Sequence, residues 1–135
     1  MTNQSWQSYW ERAGENLRAS ETLLGEAPLL PNAATSRAYY AAFHGAIALL
    51  LARSDFRPQR NEWGHDQVQA QLNVQCIRRR KLLDAKYSST LLYLFNLRRS
   101  ADYLPRGDSR KKADEAVRVA RGFLVAIPLL LEEQT

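Results

Sequence analysis

The sequence predicts an all-α fold, one domain over residues 1–135 built as a bundle of four long helices and a shorter one. Three stretches predict it. Trp6, Tyr9 or Trp10, Ala13, Leu17, Ser20 and Leu24 recur at three- and four-residue steps. Residues 36–51, SRAYYAAFHGAIALLL, are apolar almost all the way round. Ala113, Ala116, Val117, Ala120, Phe123, Leu124, Ile127 and Leu131 repeat the helical period near the end. Side chains spaced this way fall on one side of a helix, and burying those sides against one another makes a bundle.

The first helix carries Glu11, Glu15, Arg18 and Glu21 off its stripe, so it packs on one side only. GEAPLLP stops it, because glycine suits a C-terminal cap and proline resists helical continuation. The second helix is expected to begin between Asn32 and Ser36 and to run to about Arg53. With little solvated face it belongs at the centre, where its alanines let neighbours approach closely. A polar loop, RSDFRPQRNEWG, follows.

The third element reads two ways. Val68, Ala70, Leu72, Val74 and Cys76 alternate with Gln67, Gln69, Gln71, Asn73 and Gln75, which is a strand period, yet Val68, Leu72 and Cys76 also form a helical stripe. Glutamine favours helix and a lone strand would have no partner, so helix is expected. The fourth helix, roughly 82–103, carries Leu91, Leu92, Leu94, Phe95 and Leu97 and ends at LPRGDS. Asp108 or Ser109 is expected to cap the fifth, and Pro128 to kink its last turns.

The chain of 135 residues is 45% hydrophobic and 24% charged, the balance of a folded domain. No apolar run reaches the roughly 18 residues of a membrane span, and MTNQSWQSYW has neither the basic start nor the apolar centre of a signal peptide. A cytoplasmic protein without membrane association is expected. Cys76 stands alone, so no internal disulfide forms. Of the net +5, residues 78–112 hold eleven Lys/Arg against three Asp/Glu, a local +8. Such a segment can draw in a polyanion, or it can simply solvate outer helix faces.

Arg37, Tyr40 and His44 share a stripe on the second helix: seven residues bring the ends within about 20° of each other, about 10.5 Å apart along the axis. They can line a cleft, or Arg37 can reach solvent while Tyr40 and His44 fill a helix contact. Arg98 and Asp102, spaced i, i+4, can pair as ions with Tyr103 over adjacent apolar surface; alternatively Arg98 meets phosphate and Asp102 orients it. Arg78, Arg79, Arg80 and Lys81 can bind a phosphate backbone or favour a helix C-terminus. Glu62-x-x-His65 is half of a di-iron pattern without its other half, and no Walker loop or Cys/His cluster is present, so no metal and no cofactor are expected.

Together SRAYYAAFHGAIALLL, the His65 of WGHDQV, LRRSADYLP and ADEAVRVARGFLVAI resemble the HEPN domain of prokaryotes, the higher eukaryotes and prokaryotes nucleotide-binding family, over about residues 6–131. The resemblance implies a bundle that homodimerises face to face, often encoded beside a small nucleotidyltransferase as toxin and antitoxin. Active members are metal-independent ribonucleases with an arginine, four to six residues, then a histidine. Here Arg98 is followed by Arg99, Ser100, Ala101, Asp102 and Tyr103, with Asp or Tyr at the histidine's place. Arg37 and His44 satisfy the spacing, but on the second helix.

Two readings follow. In one the chain binds RNA or a nucleotide and acts as a toxin ribonuclease: Arg98, His44, Tyr103 and Asp102 stand at the scissile phosphate, and Arg37, Tyr40, His65, Arg99 and Arg78–Lys81 hold the nucleic acid. In the other it is a non-catalytic helical module that dimerises and binds a protein partner, which the missing histidine favours.

Overall fold

The computed structural model describes residues 5–25, 30–103 and 106–132, apart from the side chains of residues 102, 106–108 and 132. Its elements are α1 (Trp6–Gly25), α2 (Pro31–Arg53), α3 (His65–Gln71) with a π-helical continuation (Leu72–Arg79), α4 (Thr90–Ser100) with a 3₁₀ turn (Ala101–Tyr103), α5 (Arg106–Val125) and α6 (Pro128–Glu132). Among the described residues there is no strand, and no helix is long and apolar enough to cross a membrane. The Pro28 and Leu29 of the expected first break lie outside the described residues.

Helix α2 is the axis of the bundle and packs on every other helix. Its residues from Ala41 to Leu51 are buried apart from His44. Small side chains make this possible. At Gly45 an added Cβ would stand 2.5 Å from Leu124 Cδ2, so the absence of a side chain sets how closely α2 and α5 approach. No side chain caps the start of α2; Pro31 occupies its first turn and Ala34 N donates to Leu30 O (3.0 Å). The far end is closed by Ser54, whose N–H and Oγ both donate to Leu50 O, and by Arg57 on Leu51 O and Ser54 O.

The glutamine-rich third element is a helix, and its polar residues have a purpose that alternation concealed. Gln69 Nε2 and Asn73 Nδ2 both donate to Ser88 O (2.6 and 3.0 Å), while Gln69 Oε1 accepts from Leu92 N (3.1 Å). Gln69 therefore caps α4, whose own Ser89 makes no side-chain cap. The i→i+5 turns after Gln71 keep Leu72, Cys76 and Ile77 all buried. Lys81, with φ 53°, ends the segment, and Asp84 Oδ1 accepts from Lys86 N in a separate 3₁₀ turn. For that reason α4 begins at Thr90 and not near Leu82.

Helix α5 starts at Arg106, before the expected caps. Ser109 is buried with its Oγ on Ala101 O (3.5 Å), so it ties α5 to α4; the side chain of Asp108 lies outside the described residues. Pro128, expected to kink the last turns of one helix, instead opens a separate α6 after α5 has ended at Val125, since proline is tolerated in a first helical turn and not in an interior. Arg53 Nη1 on Leu130 O (2.9 Å) then fastens α6 to the end of α2.

Candidate nucleic-acid site

Two consecutive tyrosines of α2 receive the end of α4. The Arg98 guanidinium carbon lies 5.1 Å from the Tyr40 ring centre and 5.7 Å from that of Tyr39, within cation–π range of both. The rings themselves meet edge to face at 5.0 Å. Among the described residues no carboxylate pairs with Arg98 or Arg99. The expected partner, Asp102, has its side chain outside the described residues.

Tyr39 is buried, and its hydroxyl hydrogen-bonds His65 Nδ1 at 2.9 Å. Stacking fixes the imidazole from the other side: its ring lies 3.9 Å from Phe95, nearly parallel at 15°. One turn on, Arg99 sits 5.7 Å from the same phenyl ring. Burial, with Tyr40 nearby, raises the Tyr39 pKa, and burial lowers that of His65 against the opposing pull of Asp66. Both groups are thus held neutral. His65 Nε2 is enclosed and has no hydrogen-bond partner among the described residues; the same is true of Trp63 Nε1.

Arg37 and His44 turn instead toward α1, where Asn16 joins them. Arg37 Nη1 donates to Asn16 Oδ1 (3.1 Å), and Asn16 Nδ2 lies 3.0 Å from Arg12 O and 3.2 Å from His44 Nδ1. Arginine can only donate and a carbonyl only accept, so the amide orientation is determined. His44 Nδ1 must then accept, and the proton of the neutral ring sits on Nε2. Burial first, then the Arg12 cation, lowers the His44 pKa and supports that neutral form.

Two cavities flank the end of α4. One, of about 530 Å³, is lined by Asn32, Ala33 and Ser36 of α2 with Arg98, Arg99, Ala101 and Tyr103. The second, of about 750 Å³, is lined by residues 62–67 with Phe95 and Arg99. Arg99 belongs to both. Tyr103 is 87% exposed on the rim, so it does not cover the apolar surface as expected; the 3₁₀ turn after Ser100 rotates it outward.

The structure thus gathers Arg98, Arg99, Tyr40 and His65, and places His44 one ring beyond, its centroid 6.1 Å from that of Tyr40. Arg37 is joined to His44 through Asn16. Arg78, Arg79, Arg80 and Lys81 are exposed at the opposite end of the third element, away from this corner, and Arg80 Nη1 is engaged by Gln75 Oε1 (2.7 Å). Sequence reasoning missed Tyr39, Asn16, Phe95 and Trp63. A trace of the first was present: Tyr39, Phe43 and Tyr40 form an aromatic group at helical spacing, but in sequence Tyr39 reads as core. Among the described residues, no group of three or more His, Cys, Asp or Glu side chains is placed to hold a metal ion, although Glu62, His65 and Asp66 line one cavity.

A family model described as the HEPN domain matches residues 6–130. No curated protein and no solved structure matches the chain. The matched span includes α1 to α5 and both sides of the arginine corner, so the chain belongs to the HEPN domain family.

Proposed function

We propose that this HEPN protein binds RNA, or a nucleotide, through its phosphate at the Arg98–Arg99 corner. The observation that carries the reading is a pair of arginines lining one cavity, neither matched by a carboxylate among the described residues. Elsewhere Arg121 is paired, at 2.8 Å from Glu21. Tyr39 and Tyr40 hold Arg98 without neutralising it, which leaves its planar donors for phosphate oxygens. Family membership supports a homodimer and a nucleotidyltransferase antitoxin as protein partner, with the second copy facing the same cleft.

Binding without hydrolysis is the second reading, and a specific observation favours it. Metal-independent cleavage of RNA needs a base for the 2′-hydroxyl. His44 Nδ1 already accepts from Asn16 and its Nε2 carries the proton, while His65 Nδ1 is taken by Tyr39 and its Nε2 is enclosed, out of reach of a ligand hydroxyl. At the histidine's expected place, position 102 or 103, stands Asp or Tyr.

Retardation of RNA across a salt series tests the binding. Affinity is expected to fall as salt rises, with the slope set by the phosphates contacted; absent or salt-insensitive retention refutes it. Cleavage in the presence of chelator by wild type, Arg98→Ala and His44→Ala separates the two readings, since equal inertness of all three leaves a binding module.

A further inference from the structure

The two cavities differ in charge while sharing Arg99. Among the described residues the first has arginines and no carboxylate in its lining. The second adds Glu62 and Asp66, both exposed and neither ion-paired among the described residues, to the rings of Trp63, His65 and Phe95. Carboxylates repel phosphate, so the second cavity is not a further phosphate site. They accept hydrogen bonds, however, and they do so beside flat apolar rings.

We infer that the second cavity takes a nucleobase bearing an exocyclic amino group, whose attached phosphate lies on Arg98 and Arg99 in the first. The inference rests on the proposed RNA binding and adds to it which part of the ligand goes where. Volume permits it: about 750 Å³ lies within the range of small-molecule sites, roughly 300–1,000 Å³.

The rings are rigidly mounted. Trp63 is wedged between Tyr9 and Phe56, with ring centres 6.2 and 6.0 Å away, and Phe95 is fixed by its stack on His65. Aromatic faces held in this way take unstacked bases of single-stranded RNA. Stacking alone accepts every base, so selectivity comes from the polar groups. Adenine and cytosine present an amino donor to Glu62 or Asp66, whereas uracil has carbonyl oxygens at its corresponding edge.

The test is fluorescence anisotropy with short oligouridine chains whose central residue is U, A, C or an abasic ribose. Central A or C is expected to bind roughly ten-fold tighter than central U, the gain of one hydrogen bond to a charged acceptor, and central U tighter than the abasic site through stacking alone. Trp63→Ala removes that preference. Glu62→Gln with Asp66→Asn, both at exposed positions that leave the core untouched, also removes it while the salt dependence stays. Arg98→Ala weakens all four chains alike. Equal, salt-sensitive binding of all four by wild type overturns the base site and leaves the RNA reading standing. Retention of none of them at low salt overturns the RNA reading itself, and the base site with it.

Discussion

Asn16 of α1 and His44 of α2 are joined side chain to side chain, Nδ2 to Nδ1 at 3.2 Å, and Arg37 fixes which way the amide faces. Protonating His44 would set an N–H against an N–H. The amide could turn only by giving up its bonds to Arg37 and to Arg12 O.

Stability should therefore depend on pH. The His44 and His65 pKa values are both depressed by burial in the folded chain. Below about 6.5 the unfolded chain takes up protons that the folded chain refuses, so stability falls as pH drops from there toward the depressed values. Thermal melts at pH 7.5 and 5.5 should show a lower midpoint at the acid value, and His44→Gln should shrink the difference. An unchanged difference would mean that His44 does not supply it.

Two glycines should respond with opposite signs when replaced by alanine. Gly45→Ala places its Cβ 2.5 Å from Leu124 Cδ2, beside Ile127 and Trp10, and should cost about 1–3 kcal/mol. Gly122→Ala meets nothing within 4 Å on an exposed stretch of α5 and should gain about 0.5–1 kcal/mol. Urea denaturation measures both.

Gln69→Ala removes the acceptor of Leu92 N and a donor to Ser88 O together. A lost helix cap of this kind costs about 0.5–2 kcal/mol. Hydrogen exchange should show the first turn of α4 losing protection before the rest of that helix.

Arg98→Ala should reduce the slope of log affinity against log salt by about 0.7 for single-stranded RNA, the value of one phosphate contact. Arg98→Lys should keep the slope yet lose affinity, since a lysine has no planar group to lay over Tyr39 and Tyr40. If both variants match wild type, Arg98 does not touch the ligand.

Much of the fold was legible in the sequence. The stripes of α1, α2 and α5 and the stop at Gly25 follow from local spacing, which needs no knowledge of the rest of the chain, whereas at Pro128 the expected kink is a full break between two helices. The start of α4 was not legible, because its cap comes from Gln69, 23 residues before Leu92. Nor was the π-helical course of Leu72–Arg79, whose buried Leu72, Cys76 and Ile77 answer to the core.

Sequence by itself determined the fold class, the central place of α2 and the basic character of residues 78–112, because helical period, proline geometry and formal charge are properties of neighbouring residues. Tertiary structure decided which polar side chains meet. It paired His44 with Asn16 across 28 positions and His65 with Tyr39 across 26, and set Arg98 over two tyrosines, while it left the Arg78–Lys81 run elsewhere. Those meetings depend on how helices cross and how closely they pack, and small residues such as Gly45 set that distance through contacts remote in the chain.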